Sequence, residues 1–219
     1  MKFHHRLQFL NKLEFLFGNS DVNRENGGVR MKTEQQYYEE AISMKAYMDN
    51  MSKLKEESFA IYESFEIPQD EFIKLLKNSD VHILTITEDW CGDAMLNNPI
   101  IRKVAEAAGI EIRAVLRDAD TDLIDRHLTN GGRAIPVYLL LNKAGEVVAK
   151  WGPRAPELQE LVVKMRSKLP DKEDPNFEQA QQEMYTQLLN EYATDSTLWQ
   201  FVYESFKQTV APAIQLSLS

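Results

Sequence analysis

The chain has 219 residues, a length that corresponds to one or two domains. Its 25 basic and 34 acidic residues give a net charge of −9, which argues against a protein that works by binding nucleic-acid phosphates. Hydrophobic residues make up 43% of the chain, so a mostly disordered protein is excluded. No stretch approaches the roughly 18 consecutive apolar residues of a membrane span. We therefore expect a cytoplasmic protein that acts without a membrane, a metal ion or another cofactor.

The first 30 residues differ in charge from the rest, with five basic and three acidic side chains. The codons for Gly27, Gly28 and Val29 could form a purine-rich stretch like a bacterial ribosome-binding site, just before Met31. We hypothesise that Met31 is the native start and that residues 1–30 are a disordered or translated upstream leader.

Residues 31–67 carry a helical pattern. Thr33 and Ser43 are suited to cap two helices. Apolar residues recur after Ser43 at steps of three and four, with a break expected near Ser58: Met44, Met48, Met51 and Leu54. This methionine-rich stripe is typical of a partner-binding surface or of packing on the chain's own core, and we favour the core. The pattern predicts an N-terminal helical extension.

Residues 68–169 alternate between helical and strand patterns. Pro68 suits the first position of a helix that runs to residue 78, and Pro99 lies inside the next predicted helix. The predicted order is helix 69–78, strand 81–87, helix 91–108, strand 111–116, helix 120–128, strands 137–141 and 146–151, and helix 156–169. This order predicts an α/β domain with a mixed four-stranded sheet covered by helices on both faces.

Residues 170–210 contain two further apolar lines with helical spacing. The first consists of Phe177, Met184, Leu188 and Tyr192, and the second of Leu198, Phe201, Val202 and Phe206. The pattern predicts a C-terminal extension of two helices. Their apolar faces are expected to pack on the core or on a second copy, which would make a homodimer through the terminal helices.

The lone thiol lies where a predicted buried strand turns into a helix. At a helix N-terminus, unpaired backbone N–H groups and the helix dipole favour thiolate over thiol, so Cys91 is the candidate nucleophile. Arg133 could approach the thiol and favour the thiolate further, or could remain a solvated charge of its loop. Three flanking carboxylates oppose it, on Glu88, Asp89 and Asp93. We predict a modestly activated thiol.

Several features of this region resemble the thioredoxin superfamily. The segment Trp90-Cys91-Gly92 matches the start of the signature Trp-Cys-Gly-Pro-Cys, and Pro99 stands at the position of the superfamily's kinking proline. The pair Ile135-Pro136 matches the cis-proline peptide, and Trp151-Gly152 matches the glycine after the last hairpin. The chain thus resembles bacterial thioredoxin-like proteins with a single active-site cysteine, and the resemblance implies a thioredoxin-like fold over residues 68–169.

Three positions depart from the thioredoxin pattern. Ala94 replaces the second cysteine, Asp93 replaces the intervening proline, and Thr85 stands where thioredoxins have a buried acid. A dithiol cycle needs a resolving thiol, which this chain does not contain. A dithiol thioredoxin is therefore excluded.

The resemblance implies a substrate face around the thiol that receives an extended peptide or a small thiol. Its binding residues would be Trp90, Gly92, Asp93, Arg133, Ile135 and Pro136. One hypothesis is a monothiol thiol-disulfide oxidoreductase that acts through Cys91 on protein disulfides or on mixed disulfides with a low-molecular-weight thiol, with a second such thiol as reductant. The alternative is a redox-inactive binding or adaptor module that keeps the fold.

Overall fold

The computed structural model describes residues 31–218, and the hypothesised leader, residues 1–30, lies outside them. A five-stranded mixed sheet forms the centre, with the strand order β1-β3-β2-β4-β5. Strands β2 and β3 are parallel, and the other neighbouring pairs are antiparallel. The strands are β1 Ile42–Ser43, β2 Val81–Thr87, β3 Ile112–Leu116, β4 Val137–Asn142 and β5 Val147–Trp151. The helices are α1 Glu34–Glu40, α2 Met44–Asp49, α3 Lys55–Ser64, α4 Phe72–Lys77, α5 Gly92–Ala108, α6 Asp122–Arg126, α7 Pro156–Arg166, α8 Phe177–Thr194 and α9 Ser196–Leu218.

Strands β2 and β4 are buried on both faces, as their mostly apolar sequences predict. Ile83 and Leu140 point into one apolar core with α5 and the tail helices. Leu84 and Leu139 point into the second core, which α1 and α6 cover. The α/β fold with helices on both faces is therefore confirmed.

The edge strand β1 is an addition to the four strands that the sequence predicts. Ile42 and Ser43 pair antiparallel with β3. A two-residue strand has too little alternation to be recognised in the sequence, and Ser43 also caps α2 by accepting a hydrogen bond from Ala46 N at 3.1 Å.

Several predicted helix limits were wrong. The break in the N-terminal segment is at Leu54, which has the left-handed φ of 52°, and Ser58 lies inside α3 with its hydroxyl donating to a buried carbonyl. The helix after Pro68 begins only at Phe72, whose amide donates a hydrogen bond to the Asp70 carboxylate. Helix α6 ends at Arg126, two residues before the predicted limit, and α7 ends at Arg166, three residues before it.

The two tail helices pack on the domain itself. Met184, Leu188 and Tyr192 of α8 are buried in the core that contains α5. Phe206 of α9 is fully buried, with its ring 5.6 Å from that of Trp151 on β5. Between residues 31 and 218, no helix has both the length and the apolar character needed to cross a bilayer. The homodimer through the terminal helices stays a prediction.

Candidate active site around Cys91

Cys91 occupies the N-cap position of α5, directly after the strand-to-helix turn. Its backbone is extended, with φ −86° and ψ 120°, and its carbonyl accepts the first helical hydrogen bond from Met95 N at 2.9 Å. The amides of Asp93 and Ala94 lie within hydrogen-bonding reach of the sulfur and favour its charged form. The predicted placement of the thiol at the start of a helix agrees with this geometry.

The Ile135-Pro136 segment lies against the thiol. The peptide bond between these two residues is cis. Cys91 Sγ donates a hydrogen bond to the Ile135 carbonyl oxygen at 3.4 Å, although the two residues are 44 positions apart. The fold therefore brings together the two segments that the resemblance assigns to one site.

The thiol is not activated in this structure, so the prediction of a modestly activated thiol was wrong. Cys91 is only 9% exposed. Burial, followed by the nearby Asp93 carboxylate, raises the pKa of Cys91 to about 11, although the amides of Ala94 and Asp93 and the charge of Arg154 act in the opposite direction. At pH 7 a thiol with this pKa is thiolate in only about one molecule in ten thousand.

Asp93 is turned into the protein. Its carboxylate forms two contacts with the Arg154 guanidinium, Oδ1 to Nε and Oδ2 to Nη2, both at 2.7 Å. Tyr192 of α8 donates a third hydrogen bond to Oδ1 at 3.1 Å. Burial raises the pKa of Asp93, whereas Arg154 and Tyr192 lower it. The side chain that the sequence assigns to the substrate face is thus engaged by the chain's own tail.

Arg154 is the cation beside the thiol, and sequence reasoning missed it. It follows Gly152, whose φ of 110° and close approach to Pro136 leave no room for a side chain, since an added Cβ would lie 2.3 Å from the Pro136 oxygen. The loop after β5 is thereby pressed against the cis-proline segment. The signal in the sequence was an arginine two positions after the matched glycine.

Arg133 forms an exposed ion pair with Asp125. Its guanidinium makes two hydrogen bonds to the Asp125 carboxylate, at 2.6 and 2.7 Å, and both side chains are well exposed. Of the two roles that the sequence leaves open for Arg133, the structure therefore favours the exposed loop charge over an approach to Cys91.

Trp90 stands at the rim of the site. It is 43% exposed, which is unusual for so large an apolar side chain. The guanidinium carbon of Arg117 lies 4.9 Å from the ring centroid, and Arg117 Nη1 donates to the Arg133 carbonyl. This contact holds the indole in place while part of it remains open to solvent.

The two acids before Trp90 fix the loop rather than face a ligand. The buried Glu88 carboxylate accepts a hydrogen bond from Asp118 N at 2.7 Å, and burial raises its pKa. Asp89 Oδ2 accepts from the amide and hydroxyl of Ser52, at 2.7 and 2.8 Å. These contacts position the motif by means of the N-terminal segment and the loop after β3.

Gly92 is a point of close approach between the motif and the tail. A Cβ added at this position would lie 2.7 Å from Leu189 Cδ2 of α8. A larger residue at position 92 would require Leu189 to move, so the packing of the tail helix favours glycine here.

Beneath the motif, a neutral polar network crosses the core. Asn98 Nδ2 donates to Thr87 Oγ1 at 3.0 Å, and Tyr138 donates from its hydroxyl to Asn98 Oδ1 at 2.6 Å. Thr85 is fully buried, and its hydroxyl has no hydrogen-bond partner within the described residues. Because Thr85 carries no ionisable group, it cannot act as the buried base for which thioredoxins use an acid at that position.

Comparisons with known proteins give one family model and several solved structures of low sequence identity. A family model described as thioredoxin matches residues 41–172, and a comparison with curated proteins gives no match. An HIV epitope scaffold superimposes with a TM-score of 0.57 at 14% identity, covering 84% of this chain and 98% of the scaffold. A protein of unknown function from Pseudomonas aeruginosa gives a TM-score of 0.53 at 14% identity, covering 80% of this chain and 99% of that one. Mitochondrial thioredoxin 3 from Saccharomyces cerevisiae is 25% identical over 47% of this chain and 96% of its own, with a TM-score of 0.28. Since the family model spans more than half of the sequence, the chain belongs to the thioredoxin family.

Proposed function

We propose that the protein is a single-cysteine thiol-disulfide oxidoreductase of the reducing cytoplasm, with Cys91 as its nucleophile. The observation that carries the proposal is the position of the sulfur, at the N-terminus of α5 and in contact with the Ile135 carbonyl. A thiol so placed faces the segment along which, by resemblance, an extended peptide or a small thiol would lie.

The reaction follows from the presence of one cysteine in the whole chain. The Cys91 thiolate attacks one sulfur of a disulfide, forms a mixed disulfide with that half, and releases the other half as a thiolate. An external low-molecular-weight thiolate then attacks the substrate sulfur of the mixed disulfide. This second exchange regenerates the Cys91 thiolate and leaves the substrate half joined to the external thiol. The protein is therefore neither oxidised nor reduced over the complete cycle.

The proposed binding surface is narrower than the sequence implies. Trp90, with its open ring, and the Ile135-Pro136 segment border the thiol on the outside. Asp93 and Arg133 are held by other side chains of the protein, and Gly92 lies under α8. We assign substrate contact to the first group.

One observation favours a second candidate, a thioredoxin-fold binding or adaptor module without turnover. The thiol is buried and has a high pKa, and a tail helix contacts the motif. A partner interface would then lie on the added helices. Binding by this module would survive Cys91→Ala and be weakened by Tyr185→Ala, a change at an exposed side chain of α8 that leaves its buried face intact.

The test is thiol exchange by the full chain with a peptide–glutathione mixed disulfide and excess reduced glutathione. We expect release of the peptide thiol faster than the uncatalysed exchange, and intact-mass detection of glutathione on Cys91. Cys91→Ser should abolish both signals, whereas Asp125→Asn, a change at an exposed acid, should retain them. A wild-type rate equal to the uncatalysed one from pH 7 to 9, with no mass adduct, would overturn the proposal in favour of the adaptor.

A further inference from the structure

Helix α8 is an addition to the thioredoxin domain, yet it contacts the centre of the motif. It begins at Phe177, after the last residue matched by the family model. Leu189 lies so close to Gly92 that a larger residue there would require the Leu189 side chain to move, and the Tyr192 hydroxyl donates to the Asp93 carboxylate. These two residues sit three positions apart on α8, so a single helical face presents both.

Two further hydrogen bonds reinforce the contact between Tyr192 and Asp93. Tyr192 is fully buried, and its carbonyl accepts a hydrogen bond from Trp199 Nε1 of α9 at 2.8 Å. Arg154 holds the same Asp93 carboxylate from the loop after β5. Asp93 at the start of α5 is thus bonded to Tyr192 of α8, and Tyr192 is in turn bonded to Trp199 of α9.

The surroundings of the thiol leave little room for a second disulfide sulfur. The Ile135 carbonyl lies against Sγ, Cys91 packs in the second core with Ile86 and Ala94, and the two residues that follow Cys91 lie under α8. Thiol-disulfide exchange requires the attacked disulfide to reach Sγ itself. With 9% of Cys91 exposed, this approach requires part of the covering structure to move.

We propose that α8 is a self-docked cover of the thiol site, held by Leu189 on Gly92 and by Tyr192 on Asp93, and that a disulfide reaches Cys91 when this contact opens. The inference rests on the proposed function, whose substrate access it describes. The cover belongs to the same chain, so a substrate or partner that displaces α8 would switch the thiol from a closed to an open state.

The experiment compares two maleimides that share one reactive group, N-ethylmaleimide and a maleimide carrying a polyethylene glycol chain. The ratio of their rates on Cys91 removes the thiolate fraction, which is common to both, and reports steric access alone. The variants in the full chain are Leu189→Ala and Tyr192→Phe. The matched control is Tyr185→Phe, since Tyr185 is a 44% exposed tyrosine of the same helix.

We expect the bulky-to-small rate ratio to rise about fivefold in both variants, as a local opening equilibrium does when one such contact is removed. The control should keep the wild-type ratio, and circular dichroism should show that each variant is folded. If Leu189→Ala unfolds, Tyr192→Phe decides alone, because it removes a single oxygen atom. An unchanged ratio in the folded variants overturns the cover even if glutathione exchange is catalysed. A raised ratio without catalysed exchange retains the cover and rejects the oxidoreductase.

Discussion

Asp93→Asn isolates the charge that most directly opposes the thiolate after burial itself. Asparagine has nearly the same shape and can still accept hydrogen bonds from Arg154 and Tyr192 through its side-chain oxygen. The substitution removes the negative charge next to Cys91 and leaves the Arg154 charge without its counter-ion. Both effects favour the thiolate, so the pKa of Cys91 should fall from about 11.

The size of the change follows from the burial of the pair. A single charge close to a titrating group shifts its pKa by about one to three units, and we expect a fall of about one to two here. The thiolate fraction at pH 7 then rises about 10- to 100-fold, while the lower basicity makes each thiolate about three- to eightfold less nucleophilic. The net expectation is alkylation about 3- to 12-fold faster than wild type at neutral pH.

The assay is alkylation of Cys91 by iodoacetamide from pH 6.5 to 11, followed by intact mass. The wild-type rate should increase tenfold per pH unit to nearly pH 11, whereas the variant should level off earlier. Asp125→Asn is the matched control, because that exposed acid pairs with Arg133 away from the thiol. A variant profile that coincides with the wild type, or moves to higher pH, would refute the electrostatic reasoning.

Three further predictions concern the stability of the protein and the electrostatics of the thiol. The folded protein holds the Cys91 proton to about pH 11, whereas the unfolded thiol loses it near 9, so the free energy of unfolding should fall as pH rises through this window. Cys91→Ala should remove the part of that fall due to this thiol, about 2–3 kcal/mol, in urea titrations at pH 8 and pH 11. Asn98→Ala leaves the hydroxyls of Thr87 and Tyr138 without their partner and should destabilise the protein by about 2–4 kcal/mol in urea unfolding. Arg133→Gln should leave the alkylation pH profile of the thiol unchanged, since the arginine pairs elsewhere, and a displaced profile would contradict the site described above.

The elements that the sequence predicts well are those specified by local pattern. Strands β2 and β4 are mostly apolar segments bounded by turn residues, and α5 has the length and spacing of a packed helix. The position of the Cys91 motif could also be predicted from the sequence, because the strand-to-helix junction that places the thiol is formed by consecutive residues. At this junction, the same consecutive residues determine both the backbone structure and the position of the thiol.

The parts that the sequence does not predict depend on choices between distant partners. Asp93 pairs with Arg154, 61 positions away, and with Tyr192, 99 positions away. Contacts between residues so far apart leave no periodic pattern in the sequence. Arg133 has an acid at hand in Asp125 and therefore does not reach the thiol. The left-handed Leu54 is set by tertiary packing, since leucine itself disfavours that conformation.

The burial of Asp93 explains how an acid is tolerated beside a proposed nucleophile. A solvated carboxylate at that position would repel every thiolate that forms, whereas Arg154 offsets part of the charge of the buried one. The largest obstacle is desolvation, which raises the pKa of Cys91 more than the remaining Asp93 charge does. In the open state proposed above, movement of α8 would expose the sulfur to water and lower its pKa at the same time as it opens the path to Sγ. For a chain without a resolving cysteine this coupling is useful, because a covered, protonated thiol resists oxidation and unwanted mixed disulfides until a substrate is present.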